Sequence, residues 1–210
     1  MVNEPARTTQ DSIVERNLVA RREALDTRVN DLIVACRQCL RDADGQDPPL
    51  NVILKQAKVP LRTFYRLFQS KDELLVAVLE RGIDETLASA DTPGTRDLEP
   101  PERIDRWVQG FVTKVYAEPG RLGASLLLHQ SRLHQRFPTE TDAMIARVAA
   151  PLADAIAQLR VEDTDATFDA RLIYSMVSAY VCDRLGAEAF LTEDEVARLC
   201  SAARRIASSP

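Results

Sequence analysis

The 210-residue sequence predicts an all-α chain: a small N-terminal three-helix unit joined to a larger C-terminal helical bundle. Three observations lead there. Glycine is scarce, at seven residues, and dense β-branched runs are few, which favours helix over sheet. Apolar residues recur at helical spacing through most of the chain, broken by clusters of Pro, Gly and Asp. Between Leu50 and Leu75, two short amphipathic segments meet at a Lys58–Val59–Pro60 turn, and a further helix opens at Ser70. Hydrophobic residues make up 45% of the chain, enough for a sizeable core.

Taken in order, residues 1–24 form an N-terminal extension that is partly disordered. Residues 1–11 are polar and aperiodic, although Ser12 and Glu15 have capping-box spacing that would let a helix begin early. From Leu25 the pattern sharpens. Leu25, Val29, Leu32, Ile33, Cys36, Cys39 and Leu40 mark one helical face, which stops at Asp42–Asp44–Gly45 and Asp47–Pro48–Pro49. Leu50, Ile53, Leu54 and Ala57 give the stripe of a short helix. Pro60 suits a first helical turn, where its missing N–H costs nothing. Phe64 and Phe68 then point inward, leaving Leu61, Arg62, Tyr65 and Arg66 outside. Ser70 and Glu73 make a capping box for a helix reaching about Ala90, so that 25–90 reads as one domain with its linking helix.

Residues 91–101 read as a loop, and 101–210 as a second domain. Its helices are expected from Ile104 to Val115, over about Leu122–Leu133, from Pro138 to about Arg160 with a bend or break at Pro151, over about Asp163–Gly186, and from the Thr192/Glu195 capping box to about Ala207.

Charge points to a partner. The chain is net −5, yet residues 1–75 hold 12 Lys/Arg against 11 Asp/Glu, while the rest holds 15 against 21. Within Leu50–Lys71 there are five bases (Lys55, Lys58, Arg62, Arg66 and Lys71), no acid, and the aromatics Phe64, Tyr65 and Phe68. A confined basic patch on an acidic body calls for an anionic partner, and on a helix-turn-helix that partner is double-stranded DNA. Basic residues on a short helix are commonly just a solvated face; here the order of stripe, turn, aromatics and cap argues for more. The extension, with four bases and four acids, gives no sign of a basic DNA-binding arm.

The ordered set Ile53, Leu54, Ala57, Lys58, Val59, Pro60, Thr63, Phe64, Tyr65, Phe68, Ser70, Lys71 and Leu74 resembles the signature of the tetracycline-repressor (TetR) family of transcriptional regulators. The likeness covers about Thr27 to Val78; beyond it only the helical layout and length fit. It implies an N-terminal helix-turn-helix DNA-binding domain joined to a C-terminal ligand-binding and dimerisation domain. Leu61 and Arg62, early in the second helix of the motif, are placed to address base edges, Arg62 at guanine and Leu61 at a thymine methyl. Thr63, Tyr65 and Lys71 match family residues that grip the phosphate backbone, and Arg66 suits either contact. Three positions depart from the family pattern. Lys58 stands where the turn glycine is usual, Pro60 replaces a serine, and Leu67 occupies a site that is often a phosphate-contacting histidine.

The resemblance also implies a homodimer formed through the last two helices and reading a palindromic operator. It further implies a small-molecule effector bound inside the C-terminal bundle. Trp107, Phe111, Met144 and Tyr174 are the candidate ligand-binding side chains, although core packing would account for each as well; His129 is similarly ambiguous. Two readings therefore stand: a ligand-released repressor, or a helical interaction protein that has lost specific DNA binding, which only Lys58 and Leu67 favour. No cofactor and no metal are expected. Cys36-x-x-Cys39 falls inside a helical stripe, no second pair follows, and His129 and His134 lie far away. An enzyme is not expected, since the chain has no phosphate-cradling glycine loop, H-E-x-x-H or G-x-S-x-G. With no signal peptide and no apolar run of ~18 residues, no membrane partner and a cytoplasmic location are expected.

Overall fold

The computed structural model describes residues 9–43, 47–90, 93–117, 122–160 and 165–209, and every regular element among them is a helix. The first, α1 (Thr9–Asp42), is 34 residues long. It corrects the expectation for its start: residues 9–11 are already helical, while residues 1–8 lie outside those described. Residues 15–28 are exposed throughout, so Leu25 does not join the buried stripe; it is 38% exposed, and Leu18 61%. Extending an existing helix adds one hydrogen bond per residue fixed, so this good helix-forming stretch continues without packing support.

The second half of α1 is a packing helix. Leu32, Cys36 and Leu40 are fully buried, against Ile53 and Leu54 of α2 (Leu50–Ala57), Phe64 of α3 (Leu61–Leu67) and Leu74, Leu75 and Val78 of α4 (Lys71–Ala90). Cys36 and Cys39 belong to this core as small apolar groups. Burial, reinforced by the neighbouring Cys39, pushes the Cys36 thiol up to about 12, so almost no thiolate forms at neutral pH. Mass-spectrometric counting of iodoacetamide adducts is expected to find both thiols unlabelled in native protein and labelled in urea.

α4 opens on the expected cap: Ser70 Oγ accepts the Glu73 N–H at 3.2 Å. The Glu73 carboxylate accepts from the N–H of Gln69 rather than of Ser70. Beyond α4, the expected loop contains a one-turn helix, α5 (Pro93–Arg96). The remaining helices are α6 (Pro100–Ala117), α7 (Leu122–Arg136), α8 (Pro138–Leu159), α9 (Ala166–Gly186) and α10 (Glu193–Ala207). α6 starts at Pro100, four residues before Ile104 and inside the expected loop, and two more differ from expectation. α7 continues three residues past Leu133, and α8 runs unbroken through Pro151, whose ring sits on the exposed side of the helix. α9 and α10 begin as their sequences suggest, with Asp165 accepting from Phe168 N–H at 2.9 Å and a full Thr192–Glu195 capping box.

α6 and α8–α10 enclose a second core around Val108, Leu152, Ile156, Ile173, Val177 and Ala203. Met144 of α8 and Leu133 of α7 lie in the first core instead, packed with the α1–α4 residues. The two halves therefore share a dry contact, and α7 and α8 are the elements that span it.

Candidate nucleic-acid interface

The helix-turn-helix is built from the inside out. α2 buries Ile53, Leu54 and Ala57 and ends at Lys58, which has φ 53° and ψ 36°. Lys58 N–H bonds to the Lys55 carbonyl at 3.3 Å and Val59 N–H to the Leu54 carbonyl at 3.1 Å. This is the paired-bond helix ending usually made with glycine, completed by burial of Val59 against the core beside Leu54. The lysine thus adopts the glycine conformation at a cost of about 1–2 kcal/mol. Pro60 sits one residue earlier than expected, as the N-cap of α3. Its extended backbone turns the chain, and its carbonyl receives the N–H groups of Thr63 and Phe64 at 2.9 and 3.0 Å.

Phe64 is the anchor of α3, at 0% exposure, with its ring 5.8 Å from that of Phe68. Tyr65 lays the edge of its ring against Phe64 at 5.3 Å yet remains 57% exposed. Leu61 is 53% exposed, Arg62 and Arg66 are exposed, and Thr63 is half-buried. Leu67 turns the other way and packs on the first core, so its apolar side chain serves the fold. The outward face of α3 therefore presents Leu61, Arg62, Tyr65 and Arg66 together. Among the described residues, Lys55, Lys58, Arg62 and Arg66 take part in no ion pair, whereas arginines elsewhere, such as Arg37, Arg147 and Arg160, do. The surface is left positively charged and unneutralised.

Lys71 is placed differently from a free phosphate ligand. Its ammonium lies 2.8 Å from the Asp47 carboxylate and donates to the Pro48 carbonyl at 3.0 Å, tying the α1–α2 connection to the start of α4. Arg132 of α7 adds contacts to Asp47 at 3.3 Å and Asp72 at 3.2 Å, and Arg136 donates to Asp72 as well. The Asp72 side chain is only 7% exposed. Burial works against the Asp47 charge, but the hydrogen bond and charge of Lys71, with Arg132, hold its carboxyl below the usual aspartate range. This clasp joins α7 to the α1–α2 connection and the start of α4. Sequence reasoning passed over Asp47, Asp72, Arg132 and Arg136; only the i, i+4 spacing of the two arginines hinted at a shared face. Replacing Asp72 by Asn is expected to cost about 1 kcal/mol in urea unfolding, since both guanidinium partners stay half in water. Faster hydrogen exchange in the first turn of α4 would accompany it.

The opposite side of α7 lines an open groove of about 960 Å³ between α7 and α9, with Leu127, Gln130, His134, Tyr174, Ser178 and Cys182 on its walls. Tyr174 donates to Gln130 Oε1 at 2.8 Å, and burial pushes its phenol up to about 12, so it stays a neutral donor. The four candidate ligand residues are only partly assembled. Trp107, Phe111 and Tyr174 form one ring cluster, with centroids 5.4, 5.8 and 6.4 Å apart, but of these only Tyr174 borders the groove. The Trp107 indole donates to the Val148 carbonyl at 2.9 Å, as a packed core tryptophan does. Met144 belongs to the first core, because its turn of α8 faces the α1–α4 residues rather than α9. His129 is half-buried beside the clasp, and burial lowers its pKa.

No family model matches the chain, and no curated protein matches it in sequence. Solved structures do match. RolR in complex with resorcinol is 18% identical, with a TM-score of 0.68 over 90% of this chain and 96% of RolR. FadR from Bacillus subtilis in complex with stearoyl-CoA is 14% identical, with a TM-score of 0.64 over 85% and 97%. A putative TetR-family transcriptional regulator from Rhodococcus sp. is 19% identical, with a TM-score of 0.62 over 87% and 100%. Over most of its length, therefore, the chain has the fold of the TetR-family transcriptional regulators.

Proposed function

We propose that the chain is a sequence-specific DNA-binding transcriptional regulator, a repressor that holds a palindromic operator as a homodimer and is released by a small molecule. The observation that carries this reading is the outward face of α3, where Arg62 and Arg66 remain unpaired beside exposed Leu61 and Tyr65. Leu61 and Arg62 occupy the first turn of α3, where a recognition helix meets base edges. Tyr65, Arg66 and the Thr63 hydroxyl are suited to the flanking phosphates. Lys71 then acts mainly by fixing the start of α4, and only its residual exposure remains for phosphate.

Residues 25–90 form the reading unit and 101–210 the body. The dimer reading rests on α9, which is apolar on both sides. Ile173, Tyr174, Val177 and Val181 are buried within the chain, while Phe168, Leu172 and Tyr180 are exposed at 63%, 45% and 38%. Large apolar side chains left exposed on the outward side of a packed helix are suited to an interface, and a second copy of α9 and α10 would cover them.

The effector reading rests on α7, which borders the α7–α9 groove on one side and holds Asp47 and Asp72 on the other. A ligand seated in the groove would shift α7, and through the clasp α4 and α3, away from the one-turn half-site spacing of ~34 Å. Full switching, from 1:99 to 99:1, requires about 5.5 kcal/mol of differential binding to the two arrangements. RolR and FadR were each solved with a small organic ligand, which supports an effector here without naming it. The alternative of a protein that has lost DNA binding gains no support from Lys58, which takes the glycine conformation, or from Leu67, which packs inward. A mobility-shift assay on fragments from upstream of its own gene tests the reading. A retarded fragment, released by an excess of itself and not by mixed DNA, supports it; no retardation at low salt sinks it.

A further inference from the structure

Two residues other than glycine have a left-handed backbone among those described, Lys58 at φ 53° and Glu188 at φ 55°. Both close a helix in the same way: Glu188 N–H bonds to the Leu185 carbonyl at 3.0 Å and Ala189 N–H to the Arg184 carbonyl at 2.9 Å, repeating the bonds around Lys58. The turn geometry alone therefore asks for glycine at both places and gives no reason for a lysine at one of them. Nor does the protein use the Lys58 side chain. It is exposed and has no ion-pair or hydrogen-bond partner among the described residues, and Lys55, one helical turn earlier, is likewise exposed and without an ion pair there.

We infer that Lys58, flanked by Lys55, is a further DNA-backbone contact whose ammonium takes a phosphate beside the base pairs that α3 addresses. The inference rests on the DNA-binding reading above. Lys58 is three residues from Leu61, so their Cα atoms lie within about 10 Å, and an extended lysine stem adds further reach. The point of departure is rigid. Two backbone hydrogen bonds fix the turn, Val59 is buried at 3% exposure, and Pro60 locks the next φ at −64°. The backbone at this turn has no further freedom to lose on binding, so only the lysine stem must be ordered when its ammonium meets a phosphate. With Lys55, Arg62 and Arg66, Lys58 makes four bases between α2 and α3, none of them paired with a carboxylate among the described residues.

The test separates the two roles of the position. Wild type, K58G, K58A and E188G are titrated by fluorescence anisotropy with a mixed-sequence duplex of roughly 30 base pairs, about three helical turns. Titrations span a salt series, and each protein is also melted. K58G is expected to melt higher than wild type and yet bind several-fold more weakly, with the log K against log salt slope of the homodimer shallower by about 1.8, one phosphate contact from each protomer. K58A should show the same loss of slope without the thermal gain. E188G should melt higher and bind as wild type, because its turn lies on the body. A K58G protein that binds with wild-type affinity and slope overturns the inference while leaving the DNA reading intact. Wild type that fails to bind the duplex at low salt overturns both.

Discussion

Leu172→Glu is expected to give a folded monomer that has lost most of its operator affinity. Leu172 lies on the exposed side of α9, one turn from Phe168, so a carboxylate there costs nothing in the isolated chain. Against a second α9 the same charge would be buried without a counter-ion, which association cannot tolerate. Light scattering should report half the wild-type mass with helical circular dichroism unchanged. Two reading units joined in one particle bind the second half-site at high effective concentration; separated, they lose about 100- to 10,000-fold. A dimeric L172E protein would place the interface elsewhere on the body.

Arg62→Ala is the second large effect, expected to weaken operator binding by about 1–3 kcal/mol and to relax the sequence requirement at one base pair in each half-site. Arg62 is exposed in the first turn of α3 and has no partner among the described residues, so its removal leaves no buried charge and no cavity. Selection of binding sites from a randomised duplex should therefore return one newly degenerate, symmetry-related position. Arg66→Ala, by contrast, should lower affinity for all sequences alike if its contact is to phosphate. Unchanged selectivity in R62A would mean that α3 presents another edge to the groove.

The reading unit was largely legible in the sequence because local rules and tertiary packing agree there. The Ile53–Leu54–Ala57 stripe, the Phe64 and Phe68 anchors and the Ser70 cap each specify a neighbour only a few residues away. The turn was legible in kind but not in geometry: a lysine reads as a poor left-handed residue, and only its hydrogen bonds to Leu54 and Lys55 reveal that the conformation is imposed by the turn. Long-range partners were not legible. Lys71 looked like a free phosphate ligand because Asp47 lies 24 residues away in sequence, and charge pairing across a connection leaves no periodic trace. Met144 fell on the reading-unit core, and Arg132 and Arg136 on the clasp, because helical spacing tells which residues share a face, not which neighbour that face meets. The first half of α1 misled in the other direction. Leu25 keeps the spacing of the buried stripe, yet it lies in the exposed first half of α1.

The central claim, a symmetric pair of reading helices on DNA, is tested most directly by footprinting the wild-type protein on the region upstream of its own gene. Two equally protected half-sites related by two-fold symmetry are expected, their centres one or a whole number of helical turns of ~34 Å apart, lost together in L172E. A single unsymmetrical footprint, or protection spread evenly along the fragment without sequence boundaries, would contradict it.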